Sequence, residues 1–195
     1  MIFSIAPVIT GTLKYRYHSK SLRILFYFLI LSMLFSFVGR ILALYNINNM
    51  IFYNVFTPIE YSFLAYTLSD WQPNAHIRKM SLISIPIFVI FVLLLKIQIE
   101  DISQFDHIST SLEALLLTGF SISALYRLLK SENISLWNDS SSFVIFAILI
   151  YFAGNSIIFA YSSNIDPILW LSIHTSIGII AKIAYSWSYL CLTHK

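Results

Sequence analysis

The chain has 195 residues, of which 58% are hydrophobic and only 11% are charged. Its mean hydropathy is +0.78, whereas a water-soluble domain carries about 25% charged residues, so the composition excludes a soluble enzyme and points to a lipid bilayer as the solvent. The net charge of +3 lies in short basic loops and does not suggest a nucleic-acid partner. The lone cysteine, Cys191, excludes an internal disulfide and a cysteine-based metal site.

A membrane-spanning helix needs about 20 mainly apolar residues. The first apolar segment, residues 2–13, would reach only about 18 Å as a helix, short of the roughly 30 Å hydrocarbon core. It reads as half a span, an interfacial helix or a span cut short at its start. Its basic residues follow the apolar run, the reverse of a signal peptide. Longer spans follow at 24–45, 50–68, 80–97, 108–130, 141–162 and 168–191. The predicted fold is therefore all-α: a polytopic transmembrane bundle of six full spans plus the short N-terminal segment, in seven-helix topology, forming one integral membrane domain over residues 1–195.

Lys and Arg gather in cytoplasmic loops. If every segment crosses, Lys14, Arg16, Lys20, Arg23, Arg78, Lys79, Arg127, Lys130 and Lys195 fall on one side, Lys96 on the other, and Arg40 and Lys182 within spans. This split predicts cytoplasmic loops at 14–23, 69–79 and 131–140 with a cytoplasmic C-terminus, and outward loops at 46–49, 98–107 and 163–167. The expected location is the bacterial inner membrane. Trp71, Trp137 and Trp187 near the inner boundary and Trp170 near the outer one suit the headgroup region. Asp139 or Ser140 is placed to N-cap the helix over 141–162, the sixth when the short first segment is counted.

A charge within the bilayer costs at least about 2.5–3.5 kcal/mol on insertion scales, so it faces the bundle interior and seeks a partner. Arg40, Glu113, Asn155 and His174 fall about 8 to 10 Å below the outer ends of four different helices. Glu60 lies about 15 Å deep and Lys182 about 21 Å deep. Matching levels predicts the pairs Arg40–Glu113 and Glu60–Lys182, with Arg40–Glu60 as the competitor. On the last helix His174, Gly178, Ala181, Lys182, Tyr185 and Tyr189 share one stripe, predicted to face the bundle. Pro58 precedes Glu60 by two residues and removes a helical donor, which predicts a kink beside the carboxylate. Arg40, Glu60, Glu113, Asn155, His174 and Lys182 are thus the candidate ligand-binding residues. Each also has a purely structural reading as interhelical glue.

There is no HExxH, GxSxG, Walker loop or GxGxxG. His18, His76, His107, His174 and His194 are scattered, so neither a metal site nor a cofactor is predicted, and no catalytic residue is assigned. Tyr53-Asn54-Val55-Phe56-Thr57-Pro58-Ile59-Glu60-Tyr61, with Leu112-Glu113-Ala114-Leu115-Leu116 and Tyr151-Phe152-Ala153-Gly154-Asn155, resembles a family of uncharacterised bacterial multi-pass membrane proteins over residues 13–192; that resemblance implies no activity. In helix count the chain also resembles seven-helix sensory modules that precede signalling domains, but no kinase or cyclase pattern follows its last helix. The expected function is a non-enzymatic sensor or binding module, its pocket in the outer half of the bundle, acting with a separate signalling protein. A small-solute transporter and a lipid-modifying enzyme using Glu60 or His174 as base are the alternatives.

Overall fold

The computed structural model describes residues 2–98, 107–130, 139–161 and 166–192, and among these no strand occurs. Seven α-helices follow in order: α1 (Ile2–Leu13), α2 (Lys20–Leu44), α3 (Met50–Ser69), α4 (Ala75–Gln98), α5 (His107–Lys130), α6 (Ser140–Tyr161) and α7 (Pro167–Leu190), with a short 3-10 turn at Tyr15–Tyr17. Most ends match the apolar patterns closely. The exceptions are the starts of α2 and α4, which precede the apolar runs because the caps lie ahead of the charges. Ser19 accepts from the Leu22 amide, and the Asn74 side chain accepts from the Ile77 amide. Asp139 caps α6 by accepting from the Ser142 amide. The α2–α3 turn is closed by Asn46, whose φ of 55° is left-handed, with the Ile47 amide reaching back to the Leu42 carbonyl.

The main packing closes six helices into a ring, α1–α2–α3–α5–α6–α7 and back to α1, with α4 set outside against α3. Consecutive helices run antiparallel. Phe35 of α2 stacks on Phe52 of α3 while Ser21 at the other end of α2 meets Asp70 after α3. In the same way His174 meets Asn155, and Trp187 meets Phe143. Helix α3 runs parallel to α5, since Arg127 at the end of α5 donates to the carbonyls of Asp70 and Gln72. The turns at 14–19 and 70–74 and the end of α5 therefore share one end of the bundle, and with them Lys14, Arg16, Lys20, Arg23, Arg78, Lys79, Arg127 and Lys130. The predicted loops 98–107, 131–140 and 163–167, with Trp137 and Lys195, lie largely or wholly outside the described residues.

Among the described residues three helices are long and apolar enough to cross a bilayer: Lys20–Leu44, Ala75–Ile97 and His107–Lys130. Of the six full spans expected from the sequence, these three meet that measure of length and composition. The apolar part of α6, Ser140–Ser156, is shorter. Helices α3 and α7 are interrupted by Asn54, Thr57 and Glu60 and by His174 and Lys182. Helix α3 is continuous through Pro58.

Where α1, α2 and α7 meet, Gly11 lets the α1 backbone approach the rings of Phe26 and Tyr189; a Cβ there would fall 2.5 Å from Phe26 Cδ2. His18 completes this junction. Its ring stacks on Tyr189 at 4.7 Å and meets Tyr15 and Phe26 edge-on. Both ring nitrogens are buried without a hydrogen-bond partner among the described residues. Burial, and then the neighbouring Arg23 charge, hold His18 down from 6.5 to about 4. The neutral ring is the form the fold accepts, so its contribution is complete above about pH 6.5 and is lost as pH falls toward 4. The melting temperature of the purified protein should fall over that window, by the equivalent of at most about 3 kcal/mol. In His18→Phe that fall should flatten; an equally steep fall in the variant would assign the acid sensitivity to other groups.

Candidate functional site

The best-defined polar contact in the interior joins α6 to α7. The Asn155 side chain is fully buried and its Nδ2 donates to the Tyr151 carbonyl at 2.7 Å. That fixes the amide orientation and turns Oδ1 toward His174, whose Nδ1 lies 2.9 Å away. Oδ1 can only accept, so His174 Nδ1 carries the proton and Nε2 is the acceptor of the neutral ring. The Tyr151 ring packs edge-on against the imidazole at 5.9 Å. Close approach of the two helices depends on Gly154, where a Cβ would come within 3.0 Å of Ile177. Asp166 starts α7 by accepting from the Leu169 amide and so sets the register of His174.

Deeper along α7, Gly178, Ala181, Tyr185 and Tyr189 are buried, Lys182 is half-buried at the edge of this stripe, and Ile180 and Ile183 are exposed. Helix α5 contributes Glu113, which is buried. The charges of Glu60 and Glu113 both act on the Tyr151 hydroxyl, Glu60 acts also on Tyr185, and Glu113 on Tyr61. Tyr61 is held by donating to Ser84 Oγ of α4 at 2.6 Å. Glu60 of α3 and Glu113 of α5 are thus electrostatic neighbours of these phenols. Glu60 and Lys182 act on each other, and Lys182 also feels Arg40.

Neither ion pair expected from depth matching, Arg40–Glu113 or Glu60–Lys182, closes into direct contact, and neither does Arg40–Glu60. The reason for Arg40 is exposure: it points away from the ring interior while Glu113 is enclosed. Of the six candidate residues, Asn155 and His174 are directly bonded. Glu60 and Lys182 are electrostatic neighbours, Glu113 joins Glu60 through Tyr151, and Arg40 sits at the margin. Tyr61 and Tyr151 join this group from outside the candidate residues, whereas Tyr185 comes from the α7 stripe predicted to face the bundle. Tyr151, four residues before Asn155 on the same helical face, carried a signal for it.

The opposite end of the bundle is clasped around Asp70. Its carboxylate accepts from Ser21 Oγ of α2 and, at 3.1 Å, from Arg78 of α4. Its carbonyl accepts from Arg127 of α5 at 3.2 Å. Gln72, which is buried, donates to the carbonyls of Leu68 and Phe120, both at 3.1 Å. Lys20 lies over the Tyr66 ring. Four helices are therefore tied at this end.

Among the described residues no three His, Cys, Asp or Glu side chains converge as metal ligands. The interior group offers carboxylate acceptors, phenol donors, one ammonium and one imidazole, a set suited to holding a polar group by hydrogen bonds and charge. Comparison with protein-family models, with curated proteins and with solved structures finds no match.

Asn155→Leu and His174→Phe should each lower stability by about 1–2 kcal/mol by orphaning the other partner. The double variant should lose less than the sum, with a coupling of about 0.5–1.5 kcal/mol in a double-mutant cycle. Strictly additive losses would show that the contact carries no energy.

Proposed function

We propose that the chain is a multi-pass protein of the bacterial cytoplasmic membrane that acts as a non-enzymatic sensor or binding module. In this reading the Asp70 end and the C-terminus are cytoplasmic, and a small polar or amphiphilic molecule enters from the outer half. A change at the site is passed to a separate signalling protein. The observation that carries the reading is the gathering of polar groups from α3, α5, α6 and α7 in the interior, where Asn155 is bonded to His174 and Glu60 and Glu113 both act on Tyr151. Embedding in lipid is supported by the exposed apolar side chains that run along α4 and α5, among them Ile83, Ile87, Ile90, Leu94, Leu115 and Ile122. The cations gathered at one end support the orientation.

Transport of a small solute is the second reading, favoured by the Glu60–Lys182 neighbourhood on α3 and α7. It requires passage through the clasped end, so the Asp70 contacts would have to open in each cycle. Solute flux in proteoliposomes separates the two readings.

Single cysteines in a Cys191→Ser background test the orientation. A cysteine within 98–107 should react with an impermeant thiol reagent in intact cells, and cysteines at 14–19 or 70–74 should react only after permeabilisation. Labelling of the 14–19 turn from outside would reverse the assignment.

Glu60→Gln tests the site. It keeps the shape and removes a charge that acts on Lys182, Tyr151 and Tyr185. It should lower the melting temperature and abolish the stabilisation that a panel of small polar solutes gives the wild type. Lys182→Met on the same background should restore part of the stability, because an unmatched buried charge is the costlier state. A Glu60→Gln protein unchanged in both melting temperature and solute response would mark Glu60 as a packing residue.

A further inference from the structure

The clasp holds more cations than its one carboxylate neutralises. Arg78 of α4 donates to Asp70 Oδ1 at 3.1 Å through Nη2. Arg127 of α5 donates through Nη1 to the carbonyls of Asp70 and Gln72, at 3.2 and 3.3 Å. Lys20 of α2 stands beside Ser21, whose hydroxyl donates to Asp70. Its ammonium lies 5.7 Å from the centre of the Tyr66 ring, one turn before Asp70 on α3. Three cations from three helices are thus drawn to one carboxylate. The rule that gathers Lys and Arg at one end of a bundle does not require them to meet at one residue.

Neither guanidinium is exhausted by these contacts. Each carries five N–H donors, and among the described residues Arg78 and Arg127 each donate through one nitrogen only. Arg127 also has no ion pair among the described residues. Its acceptors are peptide carbonyls at the end of α3, which together offer about half a negative charge. Both side chains are exposed, that of Arg78 to 57%. Their remaining donors therefore open on the surface, on two planar forks tethered to the same residue.

We propose that the Asp70 clasp is an anion site in which Arg78 and Arg127 hold a phosphate group between them, with Lys20 as a third charge. The site stands apart from the interior group and does not depend on it. A guanidinium fork matches two phosphate oxygens at once, and the Lys20 ammonium on its flexible stem supplies a point charge. A carboxylate has only two oxygens and would satisfy one fork, whereas a phosphate group has oxygens for both and for the ammonium. The phosphate is that of an anionic lipid headgroup or of a soluble phosphate compound; the contacts are the same. Asp70 has two opposed effects. It gathers the guanidiniums, and its own charge repels the ligand they would hold.

The test uses the full chain in neutral detergent, with melting temperature read during titration with sodium phosphate or phosphatidylglycerol and with sodium chloride at matched ionic strength. At least one phosphate probe should stabilise the wild type beyond the chloride control. A response to sodium phosphate assigns a soluble ligand, and a response to phosphatidylglycerol alone assigns a headgroup; either upholds the site. Arg127→Gln should weaken the apparent affinity about tenfold, the scale of one hydrogen bond to a charged group, and Arg127→Lys should weaken it less. Arg78→Gln should act in the same direction and stands in if Arg127→Gln fails to fold. Asp70→Asn should lower the basal melting temperature yet tighten binding about threefold, the scale of an exposed charge pair. A purely structural clasp predicts no such gain. Arg16→Gln removes the same charge elsewhere at this end and should leave the affinity unchanged, as should Glu60→Gln in the interior. A response no greater than that to chloride overturns the site. So does an undiminished response in Arg78→Gln and Arg127→Gln, an equal loss in Arg16→Gln, or a weakened response in Asp70→Asn.

Discussion

Ionisable groups in an apolar helical bundle must find one another, because neither lipid nor hydrocarbon side chains solvate them. That constraint sets the neighbours of α3. With Glu60 on one side of the helix and Tyr61 on another, α3 needs polar partners in more than one direction, and it packs against α2, α4 and α5. Tyr61 finds Ser84 on α4, and Ser81 of the same helix donates to the Ala65 carbonyl at 2.9 Å. The charge of Glu60 acts on the phenols of α6 and α7. Placing α4 outside the ring follows from the same logic: its remaining surface is apolar and has no need of the interior.

At the Asp70 end every strong contact crosses between helices, and water is near enough to screen any charge left over. Hydrogen bonds to charged groups contribute about 1.5–3 kcal/mol each, so rigid-body displacement of α2, α3, α4 or α5 there breaks several at once. Toward the other end Asn155 and His174 join α6 to α7, Gly154 lets the two helices approach, and Glu60 and Glu113 act electrostatically on Tyr151.

Much of the helical layout was legible from the sequence, since hydrophobic length and the positions of Asn46, Ser19 and Asn74 are local properties. The inward stripe of α7 was legible for the same reason: small and polar residues repeating at helical spacing have one low-energy place to go. The pairing of charges was not. Matching Arg40 to Glu113 by depth ignored rotation about the helix axis, and a residue at the right height on the wrong face cannot meet its partner. The clasp also escaped notice, although Asp70 is an acid set among the basic loops. Its three partners, Ser21, Arg78 and Arg127, come from positions up to 57 residues away and no local pattern joins them. His18 looked like an isolated histidine in a basic loop, because nothing nearby in sequence announces that Tyr189 will lie against its ring.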